Sequence, residues 1–147
     1  PYNIVDSAIG LVDSVTFKGS FSFSQPSGTY FSSIKHRNTI ETWSKPGGEI
    51  FTAGTIINYD FTDLANKSFG SNMTQVDYSP VRFAIYSGDV NQDGTIDLDD
   101  ILSIFNAAGS FSSGYVVNDL NGDNIVDLND LLISYNNSAA FVAVIKP

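Results

Sequence analysis

Along the first half of the chain apolar residues alternate with polar ones, and in the last third they recur instead every three to four residues in two short stretches. Runs of the first kind cover Val15 to Phe17, Gly19 to Phe23, Thr29 to His36, Ile40 to Trp43, Ile56 to Phe61 and Val81 to Tyr86. Alternation gives a pleated strand one apolar face, and turn residues separate the runs at Gln25-Pro26-Ser27-Gly28, Lys45-Pro46-Gly47-Gly48 and Ser79-Pro80. Short strands at this spacing predict an antiparallel β-sandwich over residues 1–87. The second kind of pattern, Ile101, Ile104, Phe105, Ala108 and then Leu131, Tyr135, Ser138, predicts two short helices. The expected class is mainly β with a small α part.

Each predicted helix follows a twelve-residue acidic segment, Asp89 to Asp100 and Asp119 to Asp130. A hard cation takes six to eight oxygens, and a loop of this length supplies them from positions 1, 3, 5, 7, 9 and 12. In the first segment those positions are Asp89, Asn91, Asp93, Thr95 through its carbonyl, Asp97 and Asp100. In the second they are Asp119, Asn121, Asp123, Ile125 through its carbonyl, Asp127 and Asp130. Position 6 has to turn with positive φ, which Gly94 does freely and Asn124 tolerates. Turns are rich in Asp, Asn and Gly, so one such segment would be weak grounds for a metal site. The whole unit repeats, however, with Ile96 matching Val126, Leu98 matching Leu128, Ile101 matching Leu131, Phe105 matching Tyr135 and Phe111 matching Phe141. Two Ca²⁺ sites are the expectation.

Charge changes the picture in the same direction. The nine acids after Gly88 face only Lys146, giving −8, whereas residues 1–88 carry seven acids and six Lys or Arg, giving −1. Two Ca²⁺ ions would cancel about half of the −8, so the loops repel themselves without metal. Phe83 to Tyr86 and Tyr115 to Val117 precede the loops and read as β rather than helical. A loop with a single helix has little to swing, which favours a static calcium staple over a sensor.

These tandem loop-helix units resemble a dockerin, the duplicated calcium module of many secreted bacterial proteins, over residues 88–147. The resemblance implies calcium ligation by the twelve residues named. In cohesin-docking members, loop positions 10 and 11 form a small hydroxyl pair followed by basic residues; here they are Leu98-Asp99 and Leu128-Asn129, and neither helix carries Lys or Arg. The stretch Lys35 to Trp43 is also similar to segments ahead of dockerin-like repeats in large secreted surface proteins. That comparison implies an immunoglobulin- or transthyretin-like sandwich with one or two further strands before the point where this sequence starts. A sandwich short of a strand exposes an edge that another chain can fill. The segment Phe141 to Ile145 either pairs within its own subunit, beside Tyr115 to Val117, or plugs a neighbour and builds a fibre or tubule.

The 147 residues contain no cysteine, so stability has to come from packing and metal, and calcium abundance points to an extracellular or cell-surface setting. No apolar run is long enough to span a membrane. The sequence begins at Pro1 without Met, which reads as a mature fragment or the tail of something longer. A pI near 4.1 without a basic patch argues against nucleic acid as partner. Catalysis is not expected: the lone His36 sits between Lys35 and Arg37, and Glu41 with Glu49 is the only carboxylate pair outside the loops worth weighing. The expectation is an extracellular calcium-binding structural module whose partner is itself or another surface protein. The alternative is a carbohydrate-binding or cohesin-docking module appended to a secreted enzyme, with Trp43, Tyr30, Tyr59 and Tyr78 stacking on a glycan.

Overall fold

A computed structural model describes residues 2–147. Its strands are short and antiparallel: β1 (Gly28–Tyr30), β2 (Ser33–Ile34), β3 (Thr42–Trp43), β4 (Glu49–Phe51), β5 (Thr74–Tyr78) and β6 (Val81–Ala84). They pair as three two-stranded sheets, β1 with β4, β2 with β3 and β5 with β6. Two twelve-residue helices follow, α1 (Leu98–Gly109) and α2 (Leu128–Ala139). No helix is long and apolar enough to cross a membrane among the described residues.

Several expected strands differ from those observed. Val15 to Phe17 lies in a turn, where the Phe17 N–H donates to the Asp13 carbonyl at 2.8 Å. Of Gly19 to Phe23 only Gly19 bridges a partner, Val12. Thr29 to His36 breaks into β1 and β2, Ile56 to Phe61 forms no strand, and β4 and β5 have no counterpart among the expected runs. β5 reads Thr-Gln-Val-Asp-Tyr, in which only Val76 and Tyr78 are strongly apolar or aromatic, and both are exposed. Alternation reports a buried face, so a strand whose face is left in water leaves little trace.

The helices form over the expected apolar positions but begin inside the acidic segments, at Leu98 and Leu128, because both ends are specified chemically. At each N-terminus the Asp97–Asp100 or Asp127–Asp130 pair closes a reciprocal capping box. Each C-terminus ends in a left-handed phenylalanine, Phe111 at φ 54° and Phe141 at φ 55°. The Ser112 N–H reaches back to the Ala107 carbonyl at 3.0 Å and the Val142 N–H to the Asn137 carbonyl at 3.1 Å, the helix-stop pattern ordinarily built on glycine.

The core spans both parts of the chain. Ile40, Ile96 and Val142 form one buried cluster, with Ile85 and Tyr86 packed against it. Main-chain bonds follow the same seam: the Ile40 N–H donates to the Tyr86 carbonyl at 3.1 Å and the Gly88 N–H to the Asn38 carbonyl at 2.7 Å. Gly88 has φ +129°, and a Cβ there would meet Ile96 Cγ2 at 2.9 Å and Ser134 Cα at 3.2 Å, so glycine is required where the first acidic loop enters.

The segment after α2 pairs inside its own chain, but not beside Tyr115 to Val117. Ala143 bridges Thr95, with the Ile96 N–H donating to the Val142 carbonyl at 2.9 Å and the Val144 N–H to the Gly94 carbonyl at 2.8 Å. The segment after α1 does the same to the second loop, Ser113 bridging Ile125 and the Val126 N–H donating to the Ser112 carbonyl at 3.0 Å. Each repeat thus closes the loop of the other. Of the five matched apolar pairs one is interior: Ile96 and Val126 are buried, Ile101 and Leu131 are half-buried, and Leu98, Leu128, Phe105, Tyr135, Phe111 and Phe141 face solvent.

Candidate metal centre

Both acidic segments share most of their hydrogen bonds, position by position. At position 12, Asp100 Oδ1 accepts from the N–H groups of Val90 (2.8 Å) and Asn91 (3.2 Å), and Oδ2 from Asp97 (3.0 Å). Asp130 does likewise with Leu120 (2.7 Å), Asn121 (3.1 Å) and Asp127 (2.9 Å). At position 1, Asp89 Oδ2 accepts from the Gly94 N–H at 3.1 Å and Asp119 Oδ2 from the Asn124 N–H at 3.1 Å. Asn91 and Asn121 each accept from the N–H two residues on and donate to Asp93 or Asp123 at 3.0 Å. Asp93 and Asp123 in turn accept from the Thr95 and Ile125 N–H groups, at 2.9 and 2.8 Å. Asp97 and Asp127, as helix N-caps, use one oxygen on the N–H of Asp99 or Asn129.

The backbone turns where the sequence requires. Gly94 and Asn124 have φ of 94° and 68°. Gln92 and Gly122 also turn left, at 61° and 81°, which the sequence pattern did not single out. The Gln92 amide compensates by donating to the Asp89 carbonyl at 2.7 Å and the Thr39 carbonyl at 3.1 Å, so this position also ties the loop to the preceding part.

The first loop holds its buried carboxylates at an electrostatic cost. Asp89, Asp100, Asp119 and Asp130 are all buried. Burial pushes the Asp89 carboxyl above its ordinary range, with the Asp100 charge adding to it. Burial likewise raises Asp100, against the N–H donors that hold it down. Asp89 Oδ1 is buried with no well-formed hydrogen bond, the nearby Gln92 N–H only partly offsetting its burial, whereas its counterpart Asp119 Oδ1 accepts from the Gly122 N–H at 2.8 Å; a poorly partnered buried oxygen is costly for a carboxylate. Among the described residues no three His, Cys, Asp or Glu side chains are arranged so that they could by themselves hold a metal ion. The loop donors are of mixed kind, carboxylates with asparagine and main-chain oxygens, and all are hard oxygens suited to calcium. A buried, poorly partnered carboxylate oxygen in an all-oxygen loop fits a divalent cation.

The preceding part of the chain grips the second loop. Arg37 donates from Nε to the Val116 carbonyl (3.1 Å) and from Nη2 to the Asp119 carbonyl (3.2 Å), and its guanidinium lies 3.8 Å above the Tyr115 ring. The buried Asn38 adds a 2.8 Å bond from Nδ2 to the same Asp119 carbonyl. The Lys35 to Trp43 stretch stands out in the sequence, but this role does not, because the contacts cross about eighty positions of the chain.

Outside the loops the candidate groups are dispersed. His36 bonds Asn38 through Nδ1 at 2.9 Å. Glu41 is held by Ser33 Oγ at 2.7 Å and Lys146 Nζ at 2.9 Å, and Glu49 pairs with Lys45 at 3.2 Å. Trp43 is packed by Tyr2 and Phe31 at ring separations of 6.3 Å each, while the Tyr59 hydroxyl donates to the Lys67 carbonyl at 2.6 Å. Tyr30 donates to the Pro26 carbonyl at 3.0 Å, and Tyr78 is exposed.

No family model, curated protein or solved structure matches the chain.

Proposed function

We propose that this chain is an extracellular calcium-binding structural and protein-interaction module, in which two ions staple a dockerin-like pair of loops to a small β-sandwich. The observation that carries the reading is the pair of loops that repeat the same hydrogen bonds around buried carboxylates at positions 1 and 12. One ion would be held by Asp89, Asn91, Asp93, the Thr95 carbonyl, Asp97 and Asp100, the other by Asp119, Asn121, Asp123, the Ile125 carbonyl, Asp127 and Asp130. Calcium supplies the positive charge that four buried carboxylates otherwise lack. The residues of the chain do the rest: the capping boxes orient the position-9 and position-12 carboxylates, and the cross-bridges at Thr95 and Ile125 fix the main-chain donors. At a free concentration a thousandfold over the dissociation constant, one ion contributes about 4 kcal/mol to folding. The module would belong at a cell surface or in an extracellular polymer, in contact with a copy of itself or another surface protein. A glycan partner is less favoured, since Trp43 is edge-packed by other aromatics rather than laid open as a platform.

Isothermal titration of chelator-treated protein tests this directly. Two ions per chain are expected, with Asp93→Ala and Asp123→Ala each removing one; a chain that takes up no calcium sinks the reading.

A further inference from the structure

The surface is too large for a chain of this mass. It measures 9505 Å² at 15.9 kDa, whereas a compact monomer of that mass exposes about 7,300 Å². The excess on one chain, about 2,200 Å², is more than the roughly 800 Å² that each partner gives to a standard protein–protein interface, and leaves room for a donor and an acceptor patch on the same chain.

Much of that surface is apolar and concentrated in a ribbon over residues 7–24. Its turn is preformed: Asp13 Oδ1 accepts from the Thr16 N–H at 2.6 Å and the Val15 N–H at 3.1 Å, and Val12 bridges Gly19. Phe21 lies over Gly10 and Gly19, where added Cβ atoms would come within 3.0 and 2.6 Å of its ring. Ile9 and Leu11 alternate with Gly10 and so belong to the opposite face. Both are almost wholly exposed, and residues 8–11 donate no main-chain hydrogen bond. An apolar segment with free N–H groups can pair with an exposed sheet edge.

The same chain carries a matching edge. β5 pairs only with β6 among the described residues and leaves Val76 exposed. Beside it runs a cavity of about 300 Å³ between the β5–β6 sheet and α2, lined by Val76, Ala84, Ile85 and Ile133 among others. A two-stranded sheet is marginal by itself and gains from a third strand.

We propose that the residue 7–24 ribbon of one copy adds to the β5 edge of a second copy, with Ile9 and Leu11 seated toward the groove under α2. Donor and acceptor lie on different surfaces, so the contact is head-to-tail and repeats along a chain of copies. Residues 1–88 carry only −1, and the α2 residues that line the groove are uncharged, so the contact avoids the acidic loops that give residues 89–147 their −8 and repel their counterparts in any other copy. The proposal builds on the calcium-stapled module, because bound ions relieve that repulsion and hold α2 beside the groove.

The test uses the absence of cysteine in the chain. Full-length Leu11→Cys and Val76→Cys chains are mixed in millimolar calcium and oxidised, with Ile50→Cys, exposed on β4, as the control acceptor. A Leu11–Val76 heterodimer is expected, together with loss of all species heavier than the monomer in Ile9→Asp/Leu11→Asp. Monomer at every concentration, a Leu11 homodimer, or equal cross-linking to Ile50→Cys would overturn the proposal. Calcium titration of the same chains separates the outcomes: two ions bound without the cross-link leaves the calcium module standing and removes only the docking.

Discussion

Ile40 is the residue through which the first part of the chain feels the acidic loops. It is fully buried and sits with Ile96, which lies between the position-7 and position-9 donors of the first loop, and with Val142, whose carbonyl closes that loop. Ile40→Ala removes three carbon atoms from a site with no exposure, and such truncations cost about 2–5 kcal/mol. For a domain of this size 1 kcal/mol moves the melting midpoint by about 2–4 °C, so the calcium-loaded protein is expected to melt at least about 4 °C lower. The variant is further expected to weaken calcium binding at the first loop more than at the second, whose closing contact runs through Val126 and Ser112. Thermal melts in calcium and in EGTA, together with calorimetric titration, read both effects. A single unfolding transition with both the midpoint and the first-site affinity unchanged would refute the shared-core argument; so would two transitions of which only the one insensitive to calcium moves.

Asp89→Asn is expected to act in opposite directions with and without metal. A carboxyl whose folded-state pKa lies above its unfolded value holds its proton more tightly when folded, so its stabilising contribution is present at low pH and lost as pH rises through the folded value. Asp89 and Asp100 are both raised, so this loss falls above the ordinary carboxylate range of about 4. In EGTA at pH 7 the asparagine variant should therefore melt higher than the parent, with the advantage shrinking as pH falls; in calcium it should melt lower, and a lower melt in both states would refute the charge argument. Arg37→Lys keeps the charge but loses the two-pronged grip on the Val116 and Asp119 carbonyls, so second-site calcium affinity should fall by the equivalent of about 1.5–3 kcal/mol. Titration showing both sites unchanged would discount that contact. Phe111→Gly relieves a left-handed bulky residue at the end of α1, worth about 1 kcal/mol, and should raise the melting midpoint; a fall would mean that the exposed ring has a further partner within the chain.

Legibility in the sequence follows the range of the interactions. Within twelve consecutive residues, ligand types, turn positions and capping boxes are all local, and so the order of the residues alone places the two loops and the two helices, although each helix starts three residues before the expected point, at Leu98 and Leu128. The exposed β5 leaves no such mark, and Ile56 to Phe61 mimics a strand it does not form, for the same reason: alternation marks a strand only when its face is buried.

By itself, then, the sequence determined the repeated acidic loops, the helices that follow them, the mainly β character of what comes before and the concentration of negative charge in the last third. Tertiary structure alone decided that each repeat closes the other's loop, that Ile40 shares a core with Ile96 and Val142, and that Arg37 and Asn38 grip the second loop from some eighty residues away. Local hydrogen-bonding chemistry is written in adjacent residues. Which distant apolar side chains meet depends on chain closure and packing, and those are fixed only when the whole chain has collapsed around one core.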